Sequence, residues 1–298
     1  MHWRLIITPP EPGYSNMALD ETLLESGIAG GPPTVRFFAW QPGCLSVGTN
    51  QPLESQIDVD WVREQGYTLV RRPTGGRAVL HDGPRELTYS LVAPVDDPRV
   101  SGGVVESYRK ISSGLVAGLA QLGLAARMAE PPAVAAARGG SPLAAARAEL
   151  AARRNARPNP GHSDPAGAVC FDEATDYEIT VAGRKVIGSA QTRRGGVLLQ
   201  QGSVLLEADL ERWARAFRHP SEEARKRAQT HLTLRMAGLN DFLPTPLRRD
   251  QVAVALQAGL EAALDLTLAP GHLTPAELAR WDALVAGKYA TDAWTLRK

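Results

Sequence analysis

Residues 68–82 read TLVRRPTGGRAVLHD. A β-prone run (Thr68, Leu69, Val70) ends in Arg71 and Arg72. A Pro-Thr-Gly-Gly turn follows, then Arg77, the apolar Ala78, Val79 and Leu80, and a His81-Asp82 pair. Glycine lets the main chain approach a ligand closely, and backbone N–H groups in a turn can cradle negative oxygen. Two strand-like pieces joined by such a turn, with three arginines around it, can hold an acyl or phosphoryl group. The rest of the chain reads as scaffold for this turn, plus one downstream segment that supplies the chemistry.

Immediately after the turn, ELTYSLVAP at 86–94 alternates. Leu87, Tyr89, Leu91 and Ala93 share one face and Thr88 and Ser90 the other, which predicts a strand. Before the turn, TVRFFAW at 34–40 is a β-branched and aromatic strand. Gln41-Pro42-Gly43 turns the chain, and CLSVGT at 44–49 reads as the strand paired with it. A short helix is expected around 58–65. NMALDETLLES at 16–26 reads as a helix with Asp20 and Glu21 near its positive end. Residues 104–122 form another, with Tyr108, Ile111, Leu115, Leu119 and Leu122 at three- and four-residue steps.

From 177 the β pattern returns as YEITV, an Ala182-Gly183 turn, KVIGSAQT, an Arg194-Gly195-Gly196 turn and VLLQQGSVLL, a meander of three strands. After Glu207 helices are expected at 210–218, 222–230, 249–266 and 274–289. Thr274, Pro275 and Glu277 provide the N-cap, N1 and capping-box residues of the last. The fold class is therefore α+β: mixed or antiparallel sheets flanked by helices, with a helical C-terminal tail. Residues 129–168 are rich in alanine, arginine, proline and glycine and lack aromatics. They are expected to form a mobile insertion.

Charged residues make up 22% and the net charge is +1, so no long-range field argues for nucleic acid or an anionic membrane. The first 13 residues carry one short apolar piece broken by Pro9 and Pro10, unlike a signal peptide. No apolar run approaches the roughly 20 residues of a membrane helix. The two cysteines, Cys44 and Cys170, lie in no metal-binding spacing. A cytoplasmic protein with reduced thiols follows as the expectation, each cysteine being a small buried hydrophobe or a nucleophile.

The blocks RRPTGGRAVLHD at 71–82, ELTYS at 86–90, NMALDETLL at 16–24, GRKVIGSAQTR at 183–193 and LLQQGSVLL at 198–206 jointly resemble the lipoate–protein ligase and octanoyltransferase superfamily, related to biotin protein ligases. The resemblance implies a biotin/lipoate ligase-like catalytic domain over 1–230, interrupted by the 129–168 insertion, with 231–298 as a helical extension packed on it. Within the superfamily, ligases activate a free acid with ATP and Mg²⁺. Octanoyltransferases take octanoate from acyl carrier protein, hold it on a cysteine and pass it to a lipoyl-domain lysine. Cys170, in AVCFD just before the lysine hairpin, stands where the ligase-like octanoyltransferases carry their nucleophile.

The resemblance thus implies Cys170 and Lys185 as catalytic residues. Lys185 would stabilise the thiolate or hydrogen-bond the acyl carbonyl. Arg72, Gly75, Gly76, Arg77 and Ala78 would line the acyl pocket. His81 would shape it, act as a base or serve the fold alone, and Asp82 would orient a neighbour or cap a turn. Gly188, Ser189 and Ala190 are small, as a strand against an alkyl chain requires. No metal and no cofactor are expected. The implied partners are octanoyl-acyl carrier protein as donor and a lipoyl-domain protein as acceptor, either glycine cleavage H protein or a 2-oxoacid dehydrogenase E2. Three alternatives stay open: an ATP-dependent ligase, an amidotransferase between lipoyl domains, and a carrier-docking module without chemistry.

Overall fold

The computed structural model describes residues 2–129 and 178–297. Cys170 and nearly all of the 129–168 insertion, with its expected mobility, lie outside them. In chain order the elements are β1 (His2–Ile7), α1 (Gly13–Ile28), β2 (Thr34–Phe38), β3 (Cys44–Val47), α2 (Val59–Glu64), β4 (Thr68–Arg71), β5 (Val79–His81), β6 (Glu86–Pro94), α3 (Val104–Gln121), β7 (Ala126–Met128), β8 (Ile179–Val181), β9 (Arg184–Arg194), β10 (Val197–Leu205), α4 (Leu210–Arg215), α5 (Glu222–Arg235), α6 (Arg249–Leu264), β11 (Thr267–Pro270), α7 (Pro275–Leu284) and α8 (Asp292–Thr295).

The strands form two sheets. The larger has the order β11-β1-β2-β6-β10-β9-β8-β7 and the smaller β4-β3-β5. The expected meander is present: β8, β9 and β10 pair antiparallel in sequence, and β10 pairs β6 from Val197↔Pro94 to Leu205↔Glu86. The expected pairing of the second and third strands is not. β2 lies between β1 and β6, whereas β3 pairs β4 in parallel and β5 antiparallel. A lone hairpin would leave an open edge on each strand. Both strands are buried throughout, so each needs partners on both sides. The tail also holds a strand that the residue pattern did not reveal. α6 ends at Asp265 with φ +50°, and β11 then runs parallel to the outer edge of β1.

The main core lies where α3 and α6 cover the large sheet, with Leu91, Ile111, Leu115, Leu198, Leu256 and Leu260 all fully buried. The two helices nearly touch at their backbones. A Cβ on Gly118 would lie 2.6 Å from the Ala255 carbonyl oxygen, and one on Gly259 would lie 2.3 Å from the Gly118 nitrogen. A second core fills the space between the small sheet and α4 and α5, through Leu45, Leu80, Trp213 and Phe217.

α7 is tied to the sheet by a bidentate pair from Arg4 to Glu277, at 2.7 and 2.8 Å. Burial pushes the Glu277 carboxyl up, but Arg4 and the Thr274 amide outweigh it and hold the group at about 2. The stability it contributes is therefore present above pH 4.5, the ordinary value, and is lost as pH falls towards 2. Glu277→Gln should lower the thermal midpoint at pH 6, and the gap to wild type should close near pH 2. A gap independent of pH would show that the charge of Glu277 contributes nothing.

Candidate active site

The site is built where the small sheet meets the large one. Gly48 follows the last residue of β3, and the 72–78 turn joining β4 to β5 folds across it. Thr49 N donates to Thr74 O at 2.9 Å and Arg72 N to Val47 O at 3.0 Å. The chains are so close that a Cβ on Gly48 would stand 1.9 Å from the Gly76 carbonyl oxygen. Gly76 has φ +89°, a left-handed conformation that glycine adopts without strain.

Arg72 clamps this turn. Its Nη2 donates to Gly75 O and Arg77 O at 2.7 Å each, Nε to Gly75 O at 3.2 Å, and Nη1 to Ser46 O at 3.2 Å and Ser46 Oγ at 3.3 Å. These bonds tie its guanidinium to Ser46, Gly75 and Arg77. Arg72 thus shapes the wall of the site from within. Arg71 does the same one layer further back. Its Nη1 donates to Gly48 O at 2.9 Å and Gln51 O at 2.7 Å, its Nη2 to Arg297 O at 2.9 Å, and Trp294 Nε1 donates to Arg71 O at 2.8 Å. The C-terminal segment therefore braces the loop after β3.

Between the turn and the large sheet lies a cleft. Arg72, Thr74, Val79 and His81 form one wall, and Gly188, Ser189, Ala190 and Gln201–Ser203 the other; Met17, Trp40, Ser46 and Thr88 complete it. The small residues keep the β9–β10 wall close to flat. Tyr89, behind it, holds Ser189 Oγ at 2.8 Å and accepts from Gln200 Nε2 at 2.9 Å. Burial pushes the Tyr89 hydroxyl up to about 12.

His81 sits 4% exposed at one end of the cleft. Its ring stacks on Trp40, with centroids 3.8 Å apart and planes 14° off parallel. Nδ1 is 2.7 Å from Glu86 Oε1, and Nε2 is 2.8 Å from Ser46 Oγ. A carboxylate only accepts, so Nδ1 carries its hydrogen towards Glu86 and Nε2 accepts from Ser46. Thr88 Oγ1 also donates to Glu86 Oε1, at 3.0 Å, and itself accepts from Trp40 Nε1 at 2.7 Å.

The description Lipoyl protein ligase A/B catalytic domain matches this chain over residues 12–261. The chain belongs to that family. Octanoyltransferase LipM of Symbiobacterium thermophilum is 40% identical over 100% of this chain and 99% of its own. Octanoyltransferase LipM of Bacillus subtilis is 37% identical over 99% and 98%. A bi-partite lipoate protein ligase solved with its E2 lipoyl domain from Thermoplasma acidophilum superposes with a TM-score of 0.77 at 24% identity, covering 100% and 98% of the two chains. That likeness fixes the fold.

Of the residues that the family resemblance marks, Arg72, His81, Gly188, Ser189 and Ala190 line the cleft together. Gly76 stands at its rim, where a Cβ would lie 3.9 Å from that of Ala190. Gly75 is beside it, and Arg77 contributes its carbonyl to the Arg72 clamp. Ala78 is fully buried in the core behind the turn, with Leu45 and Val47. Asp82 accepts from Arg85 at 2.9 Å and so ties down the start of β6.

Lys185 is on the cleft's own strand, three residues before Gly188, or about 10 Å of extended chain. It is 3% exposed and ion-paired with Glu178. Cys44 is a free thiol that burial pushes up to about 12, which leaves it protonated and inert. Cys170 lies outside the described residues.

Sequence reasoning did not mark Ser46, Gln201 or Ser203. Gln201 is the link between elements: its Oε1 accepts from Thr74 Oγ1 at 2.9 Å, and its Nε2 donates to Asp20 Oδ2 on α1. Two adjacent glutamines inside an otherwise apolar strand, Gln200 and Gln201, were the available signal. Polar residues at buried strand positions require partners.

Proposed function

We propose that this chain is the octanoyltransferase of lipoate biosynthesis, which takes octanoate from octanoyl-acyl carrier protein, holds it as a thioester on Cys170, and passes it to a lysine of a lipoyl domain. The observation that carries the reading is likeness along the full length to octanoyltransferases LipM, at 37–40% identity. The cleft supports it. It is narrow, and its β9–β10 wall is made of small residues, as a straight acyl chain requires. Each buried methylene contributes about 0.8 kcal/mol, so the cleft can prefer one chain length without excluding its neighbours.

Thioester-to-thiol exchange is nearly isoenergetic, so a cysteine can store the acyl group without ATP. In the first half-reaction the Cys170 sulfur forms a bond to the acyl carbon and the carrier's thiol leaves. In the second the neutral ε-amine of the acceptor lysine displaces Cys170. Lys185, ion-paired with Glu178, would stabilise the thiolate or hydrogen-bond the acyl carbonyl.

The test is to incubate the protein with octanoyl-acyl carrier protein, without ATP, and record its intact mass. A hydroxylamine-labile octanoyl adduct is expected in wild type and absent in Cys170→Ala, which should also lose transfer to the lipoyl domain by more than about 10³-fold. Transfer that requires ATP and survives Cys170→Ala would instead identify an ATP-dependent ligase.

A further inference from the structure

The second half-reaction releases a proton. The amine that attacks the acyl carbon becomes positively charged as the C–N bond forms, and it must lose a hydrogen before the C–S bond breaks productively. Among the described residues lining the cleft, one group is arranged to take it. Ser46 lines the cleft, and its hydroxyl hydrogen is directed at His81 Nε2, 2.8 Å away. His81 Nδ1 is held by Glu86 at 2.7 Å. Hydroxyl, imidazole and carboxylate stand in a line, each on a different strand (β3, β5 and β6), and each strand is paired on both sides or braced by the core.

We infer that Ser46, His81 and Glu86 form a proton relay that accepts the hydrogen of the acceptor lysine's amine during acyl transfer. This rests on the octanoyltransferase reading and adds the group that deprotonates the nucleophile. The amine nitrogen bonds to the acyl carbon and its hydrogen passes to Ser46 Oγ. The hydrogen already on Ser46 moves to His81 Nε2. The imidazolium so formed lies against Glu86. When the C–S bond breaks, the sulfur leaves as thiolate and takes up a proton, which resets the imidazole. The products are an amide and a thiol, and no oxidant or ATP is consumed.

Three further observations support it. Glu86 is 1% exposed, and its Oε2 has no hydrogen-bond partner among the described residues. Glu86 thus keeps a spare acceptor beside the ring. Among the described residues, the charges facing His81 are Glu86 from β6 and, through Ser46, the Arg72 guanidinium just after β4. Cys44, its register partner on β3, is a neutral thiol, and β10 offers the uncharged Ser203 Oγ at 3.3 Å. Trp40, stacked on the ring, fixes its plane. Ser46 is the group that would touch substrate; His81 and Glu86 act through it as positioning residues.

The experiment measures octanoyl transfer from octanoyl-acyl carrier protein to a lipoyl domain between about pH 6.5 and 9, for wild type, Ser46→Ala and His81→Gln, alongside the rate of enzyme acylation by intact mass. Glutamine can keep both hydrogen bonds of His81 but cannot take a proton. Both variants should transfer about 10²-fold more slowly at pH 7, a far larger loss than in acylation. All rates rise with the neutral fraction of the acceptor amine, and those of the variants should rise more steeply still, by up to about tenfold per pH unit relative to wild type, as hydroxide replaces the relay and narrows the gap. If His81→Gln does not fold, Ser46→Ala carries the test alone. A deficit equal at every pH, or an equal loss in both half-reactions, overturns the relay and leaves His81 structural. Wild-type transfer matched by both variants overturns the relay alone. No ATP-independent transfer by wild type overturns both the relay and the octanoyltransferase reading.

Discussion

Asp20→Ala is expected to lower the unfolding free energy by about 3–5 kcal/mol, a large part of a typical domain's total. Asp20 and Arg36 are both fully buried, with Arg36 Nη1 2.8 Å from Asp20 Oδ1. Arg36 also donates to Asn16 Oδ1 at 2.6 Å and Thr8 Oγ1 at 3.0 Å, and its guanidinium lies 3.9 Å from the centre of the Phe38 ring. None of these neutralises it. Removing Asp20 leaves a buried guanidinium without its ion-pair partner, Glu11 acting on it only through space, and it strands Ser90 Oγ and Gln201 Nε2, which both donate to Asp20. Asp20→Asn keeps some of the hydrogen bonds without the charge and should fall between. Urea unfolding checks this: the midpoint should move with the slope unchanged. A loss under about 1 kcal/mol would mean that Arg36 finds water or another partner.

The second large effect is expected at Gly48→Ala, and it should fall on activity more than on stability. The new methyl would sit 1.9 Å from Gly76 O and 3.0 Å from Gly76 C, both backbone atoms. Neither can swing aside as a side chain could, so the whole turn must lift. The Arg72 bonds to Gly75 O and Arg77 O would then stretch, and the cleft wall would move by an ångström or more. Displacements of that order cost about 10²-fold in rate. The destabilisation from overpacking should be about 1–3 kcal/mol. Gly75→Ala is the control, because nothing lies within 4 Å of its Cβ position. It should fold within about 0.5 kcal/mol of wild type. If Gly48→Ala transfers octanoate at the wild-type rate, the turn does not shape the site.

How much of this was legible depends on whether a feature is local. The 104–122 periodicity became α3 almost residue for residue, and the Thr274–Glu277 capping box is made as expected. Glycine turns and alternation located the β8–β9–β10 meander because its pairings span only a few residues. The partners of β3 were not legible. Cys44–Val47 is as β-prone as its neighbours, and nothing in four residues tells which sheet will accept them. β11 was missed for the same reason. Thr267–Pro270 is strand only because β1 has an open parallel edge there.

The site divides along the same line. The motif blocks marked Arg72, His81 and Gly188–Ala190 through resemblance, and the structure brings them to one cleft. It assigns Arg72 to holding the turn from inside and Ala78 to the core. Ser46, Glu86 and Gln201 gained their places only from tertiary contacts. Ser46 and His81 are 35 residues apart, and Thr74 and Gln201 are 127 apart.

By itself, then, the sequence determined the helices, the meander, the glycine turn and the family, because propensity, periodicity and motif spacing are properties of short stretches. Only the tertiary structure decided which strands pair, that the turn lies across Gly48 with no room for a methyl group, and that a buried hydroxyl, imidazole and carboxylate line up beside the cleft. Those are contacts between distant segments. Their geometry follows from how two sheets and their helices exclude water together, which no single stretch encodes.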